Sequence, residues 1–234
     1  MNQDWLEWDL SLGLFVVADG MGGHNAGEVA AHLAVEAIRD FVVESASGDL
    51  TWPFSYEPAY SPESNRLLTA VRLANRRIYE QGCTHTAMEG MGTTVVAILA
   101  AGDQVALVSV GDSRIYRWRD GALEQMTNDD TWLATVMGVP DDSRTESNHP
   151  LKHVLTSVVG TREDLRPSSR EEALRAGDRF VLCSDGIHGR LDAAAIADVV
   201  RAGGSPEHLA SALVEAALAR RTSDNATALV IAVD

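Results

Sequence analysis

Apolar residues in the first third of the chain follow two different periods. Residues 12–18, LGLFVVA, form an apolar run that ends at Asp19, which is typical of a buried strand. Over 27–44 the apolar residues recur every three or four positions, which predicts a helix, and the same spacing predicts a second helix over 64–80. Between the two helices, 45–65 is rich in Ser, Pro and Gly, so we predict a loop or insertion there.

The rest of the chain mixes strand and helix patterns. Apolar runs at 93–100, 104–110 and 114–119, joined by short Gly-Asp turns, predict a meander of antiparallel strands. The polar stretch 128–150 predicts a short helix followed by a mobile excursion. Helix pairs outside strand meanders favour α+β layers over a doubly wound parallel sheet. Further strands are predicted at 179–184 and 226–233, and further helices at 192–201 and 206–221.

Composition limits the class of protein. With 234 residues and 45% hydrophobic content, the chain can form one sizeable core or at most two small domains. No window of 18 apolar residues and no basic-then-apolar leader is present, so we expect a soluble protein with no membrane partner. Two cysteines, Cys83 and Cys183, cannot build a disulfide framework, which favours a reducing, cytoplasmic location.

The formal net charge of −15, with 34 acids against 19 Lys and Arg, is unfavourable for nucleic acid, and we expect no nucleic-acid partner. This acidity has two interpretations. It can be a surface adapted to solubility, or some acids can be metal ligands whose charge a bound cation neutralises. Only the positions of the acids can separate the two.

Four acids stand at the ends of predicted strands beside small residues: Asp19, Asp112, Asp185 and Asp224. Any one of these pairs alone is explained by turn formation. Together they are the oxygen ligands that Mg²⁺ and Mn²⁺ prefer. The seven histidines show no HExxH spacing, and two distant cysteines cannot form a zinc site. A metal site in this chain is therefore predicted to be an oxygen site.

Other routes to phosphate chemistry lack their residues. A cysteine-phosphatase loop needs Arg six positions after its Cys, but Gly189 stands there after Cys183. The chain has no Asp-x-Asp pair for an aspartyl-phosphate and no Gly-Lys-Ser/Thr phosphate loop. These absences argue against a covalent phosphoenzyme.

Six sequence blocks resemble one known family, in order and over nearly the whole chain. They are LGLFVVADGMGGHNAGEVAA, MGTTVV, VSVGDSRIYR, HPLKHVLTSVVG, GDRFVLCSDGI and TSDNATALVI. Together they resemble the metal-dependent protein serine/threonine phosphatases, of the PPM or protein phosphatase 2C type, in their compact bacterial form. The resemblance implies an α+β fold, a four-layer α/β/β/α sandwich of two antiparallel sheets flanked by helices. It also implies a single catalytic domain over 1–234, with a flap at about 131–160.

The resemblance further implies two or three Mn or Mg ions. Asp19 would bridge two of them, and the Gly20 carbonyl would complete the second. Asp185 and Asp224 would hold the first, and Asp112 would help to hold a third, weaker ion. Asp19, Asp185 and Asp224 would be catalytic through metal-bound water.

The implied activity is hydrolysis of phosphoserine and phosphothreonine in proteins by direct attack of a metal-bridging water. The implied partners are phosphorylated proteins and a bacterial Ser/Thr kinase pathway, and the implied state is a monomer. Two alternatives remain open. One is a pseudophosphatase that acts as a regulatory binding module, and the other is a phosphatase dedicated to a single regulator.

The first block departs from the family pattern. It usually carries an Arg that binds substrate phosphate, but this chain opens Met1-Asn2-Gln3-Asp4. Asp4 matches the acid that contacts a metal through water. A truncated chain, a mis-assigned start or weak phosphate binding would each explain the missing Arg.

Two further positions concern substrate and proton transfer. Met21 stands where eukaryotic relatives have a His proposed as general acid, and nearby His24 is a weak catalytic candidate beside a structural role. Arg114 is a weak candidate for binding the substrate, although an Arg after a turn acid more often pairs internally.

Overall fold

Two antiparallel sheets pack face to face, and helices cover the outer face of each, in the computed structural model of this chain. It describes residues 2–23, 26–46, 52–137, 151 and 154–234. The predicted α+β class and its four-layer arrangement are confirmed.

The larger sheet has six strands, and its order of pairing is β1-β2-β4-β5-β8, with β3 beside the end of β2. All of its pairs are antiparallel. Its strands are β1 (Asp4–Asp9), β2 (Leu14–Met21), β3 (Gly92–Thr93), β4 (Val95–Ala101), β5 (Gln104–Val110) and β8 (Ser168–Ala173).

The smaller sheet has four strands in the order β10-β9-β6-β7, again all antiparallel. They are β6 (Arg114–Arg119), β7 (Ala122–Gln125), β9 (Arg179–Cys183) and β10 (Ala228–Ala232). Two of the edge strands, β7 and β8, carry charged residues, which discourages pairing with another chain.

Helices α1 and α2 lie on the six-stranded sheet, and the later helices lie on the four-stranded sheet. Ser61 caps α2 by accepting a hydrogen bond from the amide of Ser64, with Pro62 at the first helical position. Short helical turns also occur at Thr86–Met88 and Leu133–Met137. The helices are α1 (Ala26–Ser45), α2 (Pro62–Thr84), α3 (Asp185–His188), α4 (Ala193–Ala202) and α5 (Pro206–Ala219).

Alternation along the central strands builds the core. On β4, Ala97 and Leu99 join the cluster under α1 and α2, whereas Val96 and Ile98 join the cluster between the sheets. A third cluster packs the four-stranded sheet against α3, α4 and α5, and it contains the buried Cys183. An apolar run without polar gaps, such as β4, is therefore a strand buried on both faces.

The predicted meander is correct for its first two strands and wrong for the third. Strands β4 and β5 pair, but β6 belongs to the other sheet, between β7 and β9. Gly111 explains the change. Its φ is +94°, and a Cβ at this position would lie 2.7 Å from Thr94 Cγ2, so only glycine fits. The chain leaves the first sheet at this glycine and does not fold back as a hairpin.

None of the helices in the described part of the chain combines the length and the apolar character that crossing a membrane requires.

Candidate active site

Four aspartates from four separate segments line one cavity of about 580 Å³ at an edge of the sandwich. Asp19 lies near the end of β2, and Asp112 lies between β5 and β6. Asp185 is the first residue of α3, and Asp224 lies in the segment before β10. The fold thus brings together the acids that the sequence places far apart.

The backbone of Asp19 is held by two threonines. Its carbonyl oxygen accepts hydrogen bonds from Thr94 N at 2.8 Å and from Thr93 Oγ1 at 2.9 Å. Its amide donates to Thr94 Oγ1 at 3.2 Å. Thr94 Oγ1 also lies 2.7 Å from Ser113 Oγ, next to Asp112. One side chain therefore couples the positions of the two carboxylates.

Gly20 is a glycine because the chain passes closely between two backbone segments. A Cβ there would lie 2.0 Å from the carbonyl oxygen of Gly27 and 2.8 Å from that of Gln3. The Gly20 amide donates to the Gln3 carbonyl at 3.1 Å. The end of β2 is thereby pressed against the first turn of α1, and Gly20 itself lines the cavity.

A similar close approach joins the two segments that carry Asp185 and Asp224. A Cβ on Gly186 would lie 1.8 Å from the Asn225 carbonyl oxygen, so the start of α3 packs directly on the segment that carries Asp224. Asn225 Oδ1 accepts a hydrogen bond from the amide of Gln3 at 2.8 Å. Asp185 and Asp224 are therefore held beside the N-terminal strand.

Asp4 lies beside Asp19 and is absent from the lining of the cavity. The two residues are opposite each other in the β1–β2 register, and Asp4 is buried. Its Oδ2 accepts a hydrogen bond from Ser184 Oγ at 2.8 Å, whereas its buried Oδ1 has no hydrogen-bond partner among the described residues. Burial raises the pKa of Asp4 above its usual value.

Negative charge is concentrated at this edge. Burial first, and then repulsion from Asp4, Asp185, Asp112 and Asp224, raises the pKa of Asp19 to about 10. Burial and the neighbouring Asp185 raise the pKa of Asp112 to about 7. Both shifts mean that the folded chain resists full ionisation of this cluster unless positive charge is supplied.

Arg114 is already paired inside the fold, which argues against its candidate role in substrate binding. Its side chain is buried and forms an ion pair with Asp129, with Nη2 2.6 Å from Oδ2 and Nε 3.0 Å from Oδ1. Its Nη1 donates to Tyr116 Oη at 3.1 Å. Arg114 is absent from the cavity lining, so the internal pairing also considered from the sequence is what the structure shows.

Arg162 is a cavity residue that no sequence pattern predicted. It lines the cavity together with the four aspartates, and it is the only Lys or Arg among the described residues that do so. No motif marks it, because an exposed Arg after a Gly-Thr turn has no distinctive pattern. Its place depends on contacts with residues far away in the chain.

A family model described as Protein phosphatase 2C matches residues 1–219. The chain belongs to the protein phosphatase 2C family.

Curated relatives agree with that assignment. The chain is similar to the serine/threonine protein phosphatase PstP of Mycobacterium tuberculosis, with 36% identity over 93% of this chain and 40% of the relative. It therefore spans about two-fifths of the length of that relative. It is also similar to the serine/threonine phosphatase stp of Listeria welshimeri, with 28% identity over 93% of this chain and 83% of the relative.

Solved phosphatase structures share the fold over the whole chain. The Mycobacterium tuberculosis PstP/Ppp crystal structure has a TM-score of 0.82 and 33% identity, and covers 100% of this chain and 93% of that one. A structure of the PstP catalytic domain in complex with two manganese ions has a TM-score of 0.80 and 33% identity, with the same coverage.

The residues of this phosphatase 2C chain fit such ions by their chemistry. Within the described ranges, no group of three or more Asp, Glu, His or Cys side chains is already close enough to coordinate one ion. The lining nevertheless offers four carboxylates and a single cationic side chain, and burial and repulsion raise the pKa of Asp19 to about 10. Hard divalent cations are bound by such oxygen donors, and they would supply the missing positive charge.

The remaining predicted features lie partly outside the described residues. His24 is outside them, and so is half of the predicted flap at 131–160. Two described flap residues form isolated antiparallel bridges: Leu155 pairs with Thr131 of the same stretch, and Val159 pairs with Thr93 of β3. Met21 is 41% exposed and lines the cavity, where its thioether cannot donate a proton.

Proposed function

We propose that this chain hydrolyses phosphoserine and phosphothreonine in proteins, using two or three Mn or Mg ions and opposing a bacterial Ser/Thr kinase. One observation carries the proposal: four aspartates converge on a single cavity, and burial and repulsion raise the pKa of Asp19 to about 10. The names of the relatives, all Ser/Thr or protein phosphatases, support the substrate class.

The proposed ligands follow the position of each acid. Asp19 would serve two ions, the Gly20 carbonyl would complete the second of them, Asp185 and Asp224 would hold the first, and Asp112 would help to hold a third. When bound, such cations make water nucleophilic at neutral pH and neutralise charge on a phosphoryl group. Asp4, whose Oδ1 has no hydrogen-bond partner among the described residues, would act on the same site through water.

The side chains of the cavity determine how the proton is moved. Met21 cannot give a proton to the leaving alkoxide. Arg114 is held in its pair with Asp129 and does not line the cavity. We therefore assign that proton to water, since the cavity is open to solvent and its aspartates are needed as ligands.

Phosphate release from a phosphothreonine peptide and from p-nitrophenyl phosphate tests the proposal. Both should be hydrolysed with Mn²⁺ and not after chelation. Asp185→Ala should abolish turnover, while Asp198→Ala, on the exposed face of α4, should retain it. Activity that survives chelation or the Asp185 change contradicts the proposal. Calorimetry that detects Mn²⁺ binding without turnover would instead identify a pseudophosphatase.

The proposal that this phosphatase opposes a Ser/Thr kinase can be tested in cells. Loss of the phosphatase should raise phosphorylation at serine and threonine sites, and additional loss of the kinase should remove that rise. Unchanged phosphorylation would contradict it. The cytoplasmic location and the monomeric state stay predictions.

A further inference from the structure

Arg162 lies in the wall of the acidic cavity. The cavity lining includes Asp19, Asp112, Asp185 and Asp224, and Arg162 is its only cationic side chain among the described residues. A cation in such a wall changes which ligands the cavity attracts.

Among the described residues, the Arg162 guanidinium has no hydrogen-bond or ion-pair partner. Arg162 is exposed, and within the described part of the chain its recorded hydrogen bond is made by its backbone carbonyl. By contrast, Arg114, Arg117 and Arg119 each form ion pairs with acids of the protein. Within the part of the chain that the structure describes, the five N–H donors of Arg162 are therefore open to a ligand.

The backbone that carries Arg162 is fixed by a buried asparagine of α2. Asn75 Nδ2 donates to the carbonyl oxygens of Arg162 at 2.9 Å and of Glu163 at 3.0 Å. Asn75 Oδ1 accepts from the amide of Gly160 at 2.7 Å. Because Asn75 is 1% exposed, these three bonds are shielded from water and hold the turn in one conformation.

The same turn is fixed to the strand that positions Asp19. Thr93 and Val159 exchange two backbone hydrogen bonds, of 3.0 and 2.9 Å. Gly160 has a φ of +93°, and a Cβ there would lie 2.1 Å from Ile78 Cγ2. The turn is thus pressed against α2 on one side and linked on the other to the threonine that binds the Asp19 carbonyl.

We propose that Arg162 binds the phosphate group of the substrate and sets its affinity. This inference rests on the proposed phosphatase function and adds a residue to it. A guanidinium matches the oxygens of a phosphate in a bidentate geometry, and a fixed backbone limits the entropy lost on binding. The carboxylates of the cavity cannot bind a dianion themselves, so a cationic side chain in the wall provides a direct contact from the protein.

Arg166 provides a matched control. It is also exposed and lies four residues further along the same segment, but it does not line the cavity. Arg166→Ala removes the same charge from the same region. Neither substitution removes a hydrogen bond recorded for the fold, since Asn75 contacts only the carbonyl of residue 162.

Steady-state kinetics with Mn²⁺ should be measured for the wild type, Arg162→Ala, Arg162→Lys and Arg166→Ala. Arg162→Ala should raise KM for p-nitrophenyl phosphate and for a phosphothreonine peptide by about tenfold to a hundredfold. It should weaken competitive inhibition by inorganic phosphate by a similar factor, with kcat changed by less than about threefold, because the contact is already present in the bound substrate. Arg162→Lys should restore part of the affinity, and Arg166→Ala should behave as the wild type.

Three outcomes would overturn the role of Arg162. Equal effects of the Arg162 and Arg166 changes would show only long-range charge. An effect on the peptide alone would show that Arg162 contacts residues beside the phosphate. Unchanged phosphate inhibition would show no phosphate contact.

Fluorescence anisotropy of the labelled phosphothreonine peptide separates this inference from the proposed function. If the wild type binds the peptide without turnover, the phosphatase proposal fails, and weaker binding by Arg162→Ala still supports the phosphate contact. If the wild type turns over substrate and Arg162→Ala is unchanged in both assays, only the inference fails. A wild type that neither binds nor hydrolyses the peptide overturns both.

Discussion

Acids in two regions of this molecule have opposite electrostatic surroundings. At the cavity, burial and neighbouring carboxylates raise the pKa of Asp19 to about 10 and that of Asp112 to about 7. At the far end of β6 the hydrogen bonds from Arg119 hold the pKa of Asp178 below its usual value. All three are aspartates next to strands, and what differs is whether a guanidinium of the protein contacts them.

The comparison separates structural acids from functional ones. An acid paired with an internal arginine already has its counter-charge and needs nothing from outside. A group of closely spaced acids without one is unfavourable for folding, and a ligand of positive charge relieves that cost. The cavity acids should therefore limit stability without metal, and the paired acids should support stability under all metal conditions.

Asp19→Asn is expected to have the largest effect, on activity. Loss of a ligand shared by two ions should lower kcat/KM by at least about a thousandfold, since such ions supply several kcal/mol of transition-state stabilisation. In chelator the same variant should be more stable than the wild type by about 1 to 2 kcal/mol, because folding no longer forces a carboxylate with a raised pKa into the cluster.

Urea unfolding with chelator and with Mn²⁺ measures both sides of that prediction. Mn²⁺ at a hundred times its Kd should stabilise the wild type by about 2.7 kcal/mol and the variant by much less, so the order of stability should reverse. A variant that is less stable than the wild type in chelator would contradict the idea that repulsion dominates at this edge.

Asp129→Ala tests the opposite case, a buried acid with its partner. The side chains of Arg114 and Asp129 are 8% and 2% exposed, so the variant leaves a buried guanidinium without its carboxylate. The free energy of unfolding should fall by about 3 kcal/mol, with or without metal. Urea unfolding checks the value. The double change Arg114→Met with Asp129→Leu should recover most of the loss. If Asp129→Ala stays within 1 kcal/mol of the wild type, as for an exposed pair, the buried-charge explanation fails.

Sequence patterns were sufficient for the main helices and for the four cavity acids. Helical spacing placed α1 and α2 within a few residues of their observed bounds, because each buries one continuous face. Sequence patterns could not reveal β1 (Asp4–Asp9), since its residues DWLEWD do not alternate between apolar and polar and both of its tryptophans are exposed. They also missed Arg162, whose position depends on Asn75, a residue 87 positions away. What depends on distant packing has no local pattern.

The Asp178 pair gives a smaller effect with a pH dependence. Asp178 is 1% exposed as a side chain, and Arg119 donates to it from Nε at 2.7 Å and Nη2 at 2.6 Å. We expect Asp178→Asn to cost about 1.5 kcal/mol at pH 7, near the lower value for hydrogen bonds to charged groups, because solvent reaches Arg119.

The sign follows from the lowered pKa of Asp178. Its stabilisation is fully present above the unfolded value of about 3.9 and is lost as the pH falls through the lower folded value. Urea unfolding of both proteins between pH 7 and pH 3 should show a constant difference down to about pH 5 and a shrinking one below pH 4. A difference that grows on acidification would contradict the assignment.

An exposed pair on α4 should show the smallest effect and tests whether burial decides the comparison. Arg201 and Asp198 form an ion pair with side chains 60% and 71% exposed, and Arg201 also lies 5.6 Å from the centre of the Trp118 ring. Asp198→Ala leaves the arginine in water and on its aromatic neighbour, so unfolding should change by less than about 0.5 kcal/mol. Urea unfolding at low and high salt measures it. A loss above 1 kcal/mol at high salt would mean that an arginine partner stabilises an acid of this protein whether the pair is buried or exposed. Burial would then not distinguish the Arg114 and Arg119 pairs from the Arg201 pair.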